Sequence, residues 1–325
     1  MILCMGSLSK RKNIHEFFKK TGLGDLETFW TKDCIEAAFT DIPNAWLIID
    51  SGAHSFYTRN VKSRHGVFVS DFSWADSLEF KSYLESYISW LHENINKDNF
   101  EAYVVLDVIG DAKRTWDVQK YMESYGLNPL PVFHFGEDAK WLDKYIDNYE
   151  FFGVGGVAGL TSNNLFYDSV FRRIGRDSNG NCKRKIHGFG ITDFKTMFRY
   201  PFYSVDSVSW ALFAAYGWAL LPKVEKGEFL FNQPIVVKTS TRPGSSASRG
   251  LRLNEYMKLV GGDEVKNYVK NIGIEFSNDD EFFQQLDNHW NRGKLNLHYF
   301  AQLQTLLSSK TDWAVWQKNQ LKFVK

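Results

Sequence analysis

The sequence predicts an α/β protein, a (β/α)8 TIM-like barrel with a helical C-terminal extension. Three observations predict it. Short apolar, β-rich runs alternate with longer amphipathic stretches, the pattern of parallel strands joined by helices. Seven such runs are visible and an eighth is plausible, a count that favours a closed barrel over an open sheet. Past Ala219 the texture changes to a hairpin, a basic loop and helices, so the barrel is expected over 1–222 and the appended elements over 223–325.

The strand candidates in order are MILCMG (1–6), AWLIID (45–50), YVVLDVIG (103–110), LPVFHFG (130–136), FFGVGGV (151–157), KIHGFGIT (185–192) and FYSVDSV (202–208). The eighth is expected either near ETFWTK (27–32) or at PIVVKT (234–239). Between them, SLEFKSYLESYISWLHENI (77–95) and KRTWDVQKYMESYG (113–126) place apolar residues at spacings of three and four, as amphipathic helices do. VEKGEFLFNQPIVVKTS (224–240) reads as a hairpin and STRPGSSASRGLR (240–252) as a flexible basic loop. From Leu253 onward the pattern is helical, with Trp290, Trp313 and Trp316 on apolar faces.

Composition narrows the function classes. Across 325 residues, 39 Lys plus Arg face 38 Asp plus Glu, so no global field demands a polyanion and any nucleic acid must be met by a local patch. Aromatic residues make up 16% of the chain, with 11 Trp, which suits bulky core packing more often than base stacking. Cys4, Cys34 and Cys182 are scattered and odd in number, which indicates neither a disulfide framework nor a thiolate metal cluster and fits a reducing cytoplasm. MILCMGSLSKRK puts its apolar residues before its basic ones, the reverse of a secretory signal. The longest apolar region, WALFAAYGWALL from Trp210, is shorter than the roughly 18 residues a span needs, so no membrane partner is expected.

The chemistry-bearing residues gather at the ends of the strand candidates: Asp50, Asp107 with Asp111 nearby, His134, the glycines of GVGGVAG, His187 and Asp206. In a barrel that rim carries the site. Burying an unpaired carboxylate is costly, so a charge at the end of an apolar run needs a reason. Each Asp could cap the helix that follows. Alternatively, crowded carboxylates raise one another's pKa and supply a nucleophile and an acid for glycosidic chemistry.

DSGAHSF at Asp50 resembles the DSGGFQ signature of tRNA-guanine transglycosylases. GVGGVAG at Gly153 is similar to their GGLAVGE loop, and YSVDSVSW at Tyr203 to the segment carrying their nucleophilic aspartate. LDVIGD lies between the first two motifs, where that family has its base-recognising aspartate. The match covers about half of the chain. It implies exchange of guanine in a nucleic acid for a 7-deazaguanine such as preQ0 or preQ1. By this resemblance Asp206 is the nucleophile on the sugar C1′ and Asp50 the acid and base. Asp107 reads the N–H and amine of the base, while Gly155, Gly156 and Val157 let the backbone approach it, next to Ser51 and Gly52. His134 stands where the family has a glutamine, and His187 is expected in the pocket wall.

The family's zinc site of three cysteines and a histidine has no counterpart: no cysteine follows Cys182, and His289 and His298 are nine apart. No zinc or other cofactor is expected. That departure makes the chain more similar to the superfamily members that modify DNA in phages and bacterial DNA-modification clusters, so DNA is favoured over tRNA. Arg242, Arg249 and Arg252 in the basic loop, with Lys183 and Arg184, are the candidate contacts to the backbone, and Phe56, Tyr57 and Phe68 the candidates to stack on a flipped base. Other readings stay open: a tRNA transglycosylase with a rebuilt C-terminus, a barrel glycoside hydrolase using Asp50 and Asp206, and a non-catalytic nucleic-acid-binding barrel.

Overall fold

The computed structural model describes residues 1–41, 46–62, 72–96, 100–156, 164–191, 194–240 and 251–310. The chain divides into two compact units, one made of Met1–Lys10 with Gly24–Asp206 and the other of Arg11–Leu23 with Ser207–Lys310.

Eight strands form the sheet of the first unit: β1 (Ile2–Gly6), β2 (Gly24–Thr28), β3 (Leu47–Asp50), β4 (Phe100–Tyr103), β5 (Val132–His134), β6 (Phe151–Gly155), β7 (Lys185–Gly188) and β8 (Ser204–Ser207). Their order is β4-β3-β2-β1-β8-β7-β6-β5, with parallel pairing, for example Leu26 opposite Ile48 and His187 opposite Ser204. The two ends of that order also meet. Val104 bridges Leu130 in parallel, the Val105 amide donates to Leu130 O at 3.0 Å, and the Leu130 amide donates to Tyr103 O at 2.7 Å. The sheet therefore closes on itself as a (β/α)8 barrel.

The closure explains why YVVLDVIG is not one long strand. β4 ends at Tyr103 and Val104 continues it as a single bridge to Leu130; Val105, Leu106 and Val108 beyond it stay buried outside any strand. The eighth strand is β2, at the start of ETFWTK, whereas PIVVKT belongs to a separate sheet. Leu47, Ile48 and Ile49 are all fully buried, as expected of a parallel strand covered on both faces. The flanking helices begin where the sequence offers caps. Ser77 Oγ accepts the Phe80 amide at the head of Leu78–Asn94, and Asp111 Oδ1 accepts the Arg114 amide at the head of Ala112–Ser124.

The second unit holds β9 (Trp218–Glu225), β10 (Glu228–Lys238) and β11 (Leu251–Arg252), in the order β11-β10-β9. β9 and β10 form the expected hairpin, turning through Lys226 and Gly227, both at positive φ (52° and 81°), the geometry that matches the strand twist. Helices Leu253–Val260, Gly262–Asn271, Asp279–Asp287 and His289–Ser308 follow. Trp290 is half-buried; Trp313 and Trp316 lie outside the described residues.

The boundary expected at 222 is displaced, because residue 222 falls inside β9. The second unit starts at Ser207 and takes Arg11–Leu23 as well. Buried side chains of the helix His289–Ser308 tie it together: Asn296 donates to Trp210 O and accepts from the Leu220 amide, and Arg292 Nε donates to Ala214 O. Among the described residues no helix is long and apolar enough to cross a membrane.

Candidate active site

A cavity of about 950 Å³ opens at the carboxyl ends of the barrel strands. Asp50 ends β3, His134 ends β5, Gly155 ends β6 and Asp107 lies just past the Val104 bridge; all four line the cavity, as does Gly156. Five of the residues expected at the site thus line one cavity, three of them as the last residues of strands.

Asp50 does not cap the helix that follows it. Its Oδ2 accepts the Gly52 amide at 3.0 Å, and the helix Ala53–Tyr57 receives no side-chain cap. Although Asp50 reaches the cavity surface, the protein packed around it desolvates the carboxyl, and the Asp107 charge adds to the effect. Together they raise its pKa to about 6, against hydrogen bonds from Gly52 and Thr28. A carboxylic acid tuned to that range can give a proton and take one back near neutral pH. Gly52 has φ +81°, and a Cβ there would stand 2.5 Å from the Tyr83 hydroxyl, which itself donates to Ser51 O at 2.8 Å. The turn DSG is built so that the carboxylate points inward while the chain leaves over Tyr83.

Asp107, His134 and Glu137 form a chain of charges. His134 Nε2 is 3.1 Å from Asp107 Oδ2, and Nδ1 is 3.2 Å from Glu137 Oε1. Glu137 Oε2 also accepts the His134 amide at 2.9 Å. Burial works to lower the imidazole pKa, but the hydrogen bonds that it donates to Asp107 and Glu137 prevail and lift it to about 10. Both ring nitrogens of the imidazolium therefore donate to carboxylates. His134, expected to hydrogen-bond a base edge, instead spends both donors on protein groups. Glu137 was not singled out in the sequence; its one signal there is the spacing of three from His134 across Gly136.

Asp206 stands beside the cavity. Its Oδ1 accepts the amide of Gly190, a cavity-lining residue, at 2.8 Å, and lies 3.4 Å from His187 Nε2. His187 is not a wall residue: it is fully buried, its Nδ1 is 2.8 Å from Ser204 Oγ on the neighbouring strand, and its ring meets Phe189 edge-on. It acts behind Asp206. Ser51 is likewise fully buried, and neither it nor Gly52 lines the cavity. Gly156 has φ +76°, and a Cβ there would crowd His134 and the Phe135 amide at 3.1 Å. Val157 lies outside the described residues.

Of the aromatic candidates, Tyr57 lines the cavity, whereas Phe56 is packed among Trp74, Phe80 and Tyr83 in the core. Phe68 lies outside the described residues. The expected backbone contacts fare differently. Lys183 and Arg184 precede β7 and so stand at the opposite rim of the barrel, where Arg184 bonds Ile146 O and pairs with Glu150, just before β6. Strand direction alone separates them from the cavity. Arg252 belongs to the second unit, on β11, and Arg242 and Arg249 lie outside the described residues. The cavity has its own lysines, Lys113 and Lys140, which were missed because each reads as an ordinary helix-surface charge. Among the described residues no group of three or more His, Cys, Asp or Glu is arranged to hold a metal ion. Compared with known proteins, the chain matches no family model and no curated protein.

Proposed function

We propose that this protein is a transglycosylase that exchanges guanine in a nucleic acid, DNA in preference to tRNA, for a 7-deazaguanine such as preQ0 or preQ1. The observation that carries the reading is the meeting of Asp50, Asp107 and the Gly155–Gly156 backbone on one cavity wall, with Asp206 adjoining. These are four positions that the motif resemblance assigns to one reaction. The carboxyl of Asp50, lifted to about 6, suits the acid and base role.

In the first half-reaction an Asp206 carboxylate oxygen attacks C1′ and the C1′–N9 bond breaks. The bonding pair leaves with guanine, which takes a proton from Asp50. In the second, the incoming base gives its N9 proton to Asp50, N9 attacks C1′, and the ester to Asp206 breaks. Two displacements return the sugar to its starting configuration. Asp107 accepts the ring N–H and exocyclic amine common to both bases, a charge-assisted pair of contacts. The Gly190 amide holds the Asp206 carboxylate, with His187 Nε2 3.4 Å behind it. Lys113 and Lys140 are lysines of the cavity lining, each paired with an aspartate, Asp117 and Asp138, that a phosphate at the mouth would have to displace.

The test is exchange on defined polymers. DNA and tRNA carrying labelled guanine are incubated with preQ0, and released base and modified nucleosides are measured by mass spectrometry. The expected result is preQ0-dependent release from DNA, together with a covalent adduct on a denaturing gel that Asp206→Asn abolishes. An adduct that survives in Asp206→Asn removes Asp206 as nucleophile. Release from tRNA alone reverses the polymer assignment.

A further inference from the structure

The turn after β5 carries a feature that the motif resemblance does not account for. His134 is 9% exposed and its ring is clamped at both nitrogens, by Asp107 across the barrel rim and by Glu137 from its own turn. Glu137 holds the same residue a second time through the backbone amide, and its side chain is only 5% exposed. A carboxylate that bonds one residue through both ring and main chain fixes the orientation of that ring. The ring in turn fixes the carboxylate on its far side.

We propose that Glu137 is a positioning residue that locks the His134 ring between two carboxylates and thereby orients Asp107 toward the bound base. This rests on the reading of Asp107 as the acceptor for guanine and 7-deazaguanine. Asp107 has four lone-pair sites on two oxygens. His134 takes one on Oδ2, which leaves three on a residue that lines the cavity for the ring N–H and the amine. Without Glu137, a neutral imidazole could rotate or change tautomer, and an unprotonated Nε2 facing Oδ2 would repel it. Asp107 would then lose its fixed direction.

The charged surroundings of His134 are few. Asp107 and Glu137 touch it directly. Asp50 acts on Asp107, and the Tyr145 phenol of the helix Ala139–Asn148 feels Glu137 and Asp107. Gly155 and Gly156, from β6, bring only backbone. Lys113, Asp111, Lys140 and Asp138 on the wall are engaged elsewhere, Lys113 with Asp117, Asp111 with Arg114 and Lys140 with Asp138.

Two measurements on the full chain test this. The first is an NMR titration of the His134 imidazole in wild type and Glu137→Gln. The expected result is a ring that stays protonated through pH 8 in wild type and titrates at least a pH unit lower in the variant; identical titrations overturn the proposal. The second is guanine affinity by calorimetry between pH 6 and pH 8.5. Wild type should be nearly flat, whereas Glu137→Gln should lose about tenfold at pH 8 and recover at pH 6, where the imidazole is protonated without help. A loss equal at all pH values marks a merely structural role and overturns the proposal, as does no loss at all. In a His134→Gln background, whose amide does not titrate, Glu137→Gln should change affinity by less than about twofold; a full tenfold loss there also overturns it. If wild type binds no guanine, the transglycosylase reading fails and the orienting role falls with it. If guanine binds and only the pH response is missing, that reading stands and the role of Glu137 alone is lost.

Discussion

Two of the places where the barrel buries carboxylates differ in what faces them. At the cavity, Asp107 and Glu137 hold a protonated histidine between them, and Asp50 opens onto space that a ligand can fill. On β2, Asp25 and Glu27 are buried more deeply, at 0% and 1% exposure, and neither lines that cavity. There Glu27 takes the amide and hydroxyl of Ser9, both at 2.6 Å, and the Asp25 carboxyl lies against that of Glu27. Desolvation, and then the charge of Glu27, push the Asp25 carboxyl well above its ordinary range. Burial beside a second carboxylate thus suffices to make a perturbed acid. A site needs, in addition, a space for substrate and a compensating group that keeps the acid useful.

If that distinction is right, mutations in the two places should fail in different ways. The largest effect belongs to Asp107. Asp107→Asn sets an amide donor against the N–H of the base and against the His134 ring, and should weaken guanine binding by about 2 to 4 kcal/mol, roughly thirty- to a thousandfold. Calorimetry on the variant checks this; affinity equal to wild type would reduce Asp107 to a structural carboxylate. Asp50→Asn should leave guanine affinity nearly intact and slow exchange by about a hundredfold, since it removes proton transfer and not recognition. Its pH dependence sharpens the point. The raised pKa keeps Asp50 protonated up to about pH 6, so single-turnover departure of guanine should be fastest below that value and fall as pH rises through it. Asp50→Asn should show no such fall, and a variant that kept the same profile would move the acid role to another group.

How much of this was legible in the sequence follows from the same physics. Asp50 and Asp107 were readable because each ends an apolar run, and a charge there is costly unless used. Asp111 takes the first of the two roles open to these aspartates, the cap of the following helix. β2 was the hardest strand to see, because GDLET carries two acids in five residues and looks like a surface segment. Only the neighbours supplied by folding, Ser9 among them, let it sit inside a barrel. Lys183 and Arg184 misled because a basic cluster says nothing about which rim it occupies; strand direction decides that. Glu137 was hidden for a related reason, since its meaning depends on Asp107, thirty positions away along the chain.

The smallest expected effect tests the other side of the comparison. Asp25 does not line the active-site cavity, so Asp25→Asn should leave base affinity and exchange within about twofold of wild type. Its effect should appear in stability and its pH dependence. A carboxyl whose folded pKa lies above its unfolded value of 3.8 binds its proton more tightly in the native state. Its stabilising contribution is fully present below pH 3.8 and is lost as pH rises toward and through the folded value. Wild type should therefore lose stability as pH rises above about 4, by as much as about 1.4 kcal/mol per pH unit from this one group. Asparagine has the shape of the neutral acid and no proton to lose. Urea unfolding at pH 4, 6 and 8 should find the two proteins similar at pH 4 and the variant more stable by about 1 kcal/mol or more at pH 6. Parallel stability curves would mean that Asp25 is ionised and paired in the native state. The contrast between a carboxylate kept for chemistry and one merely tolerated by the core would then need another basis.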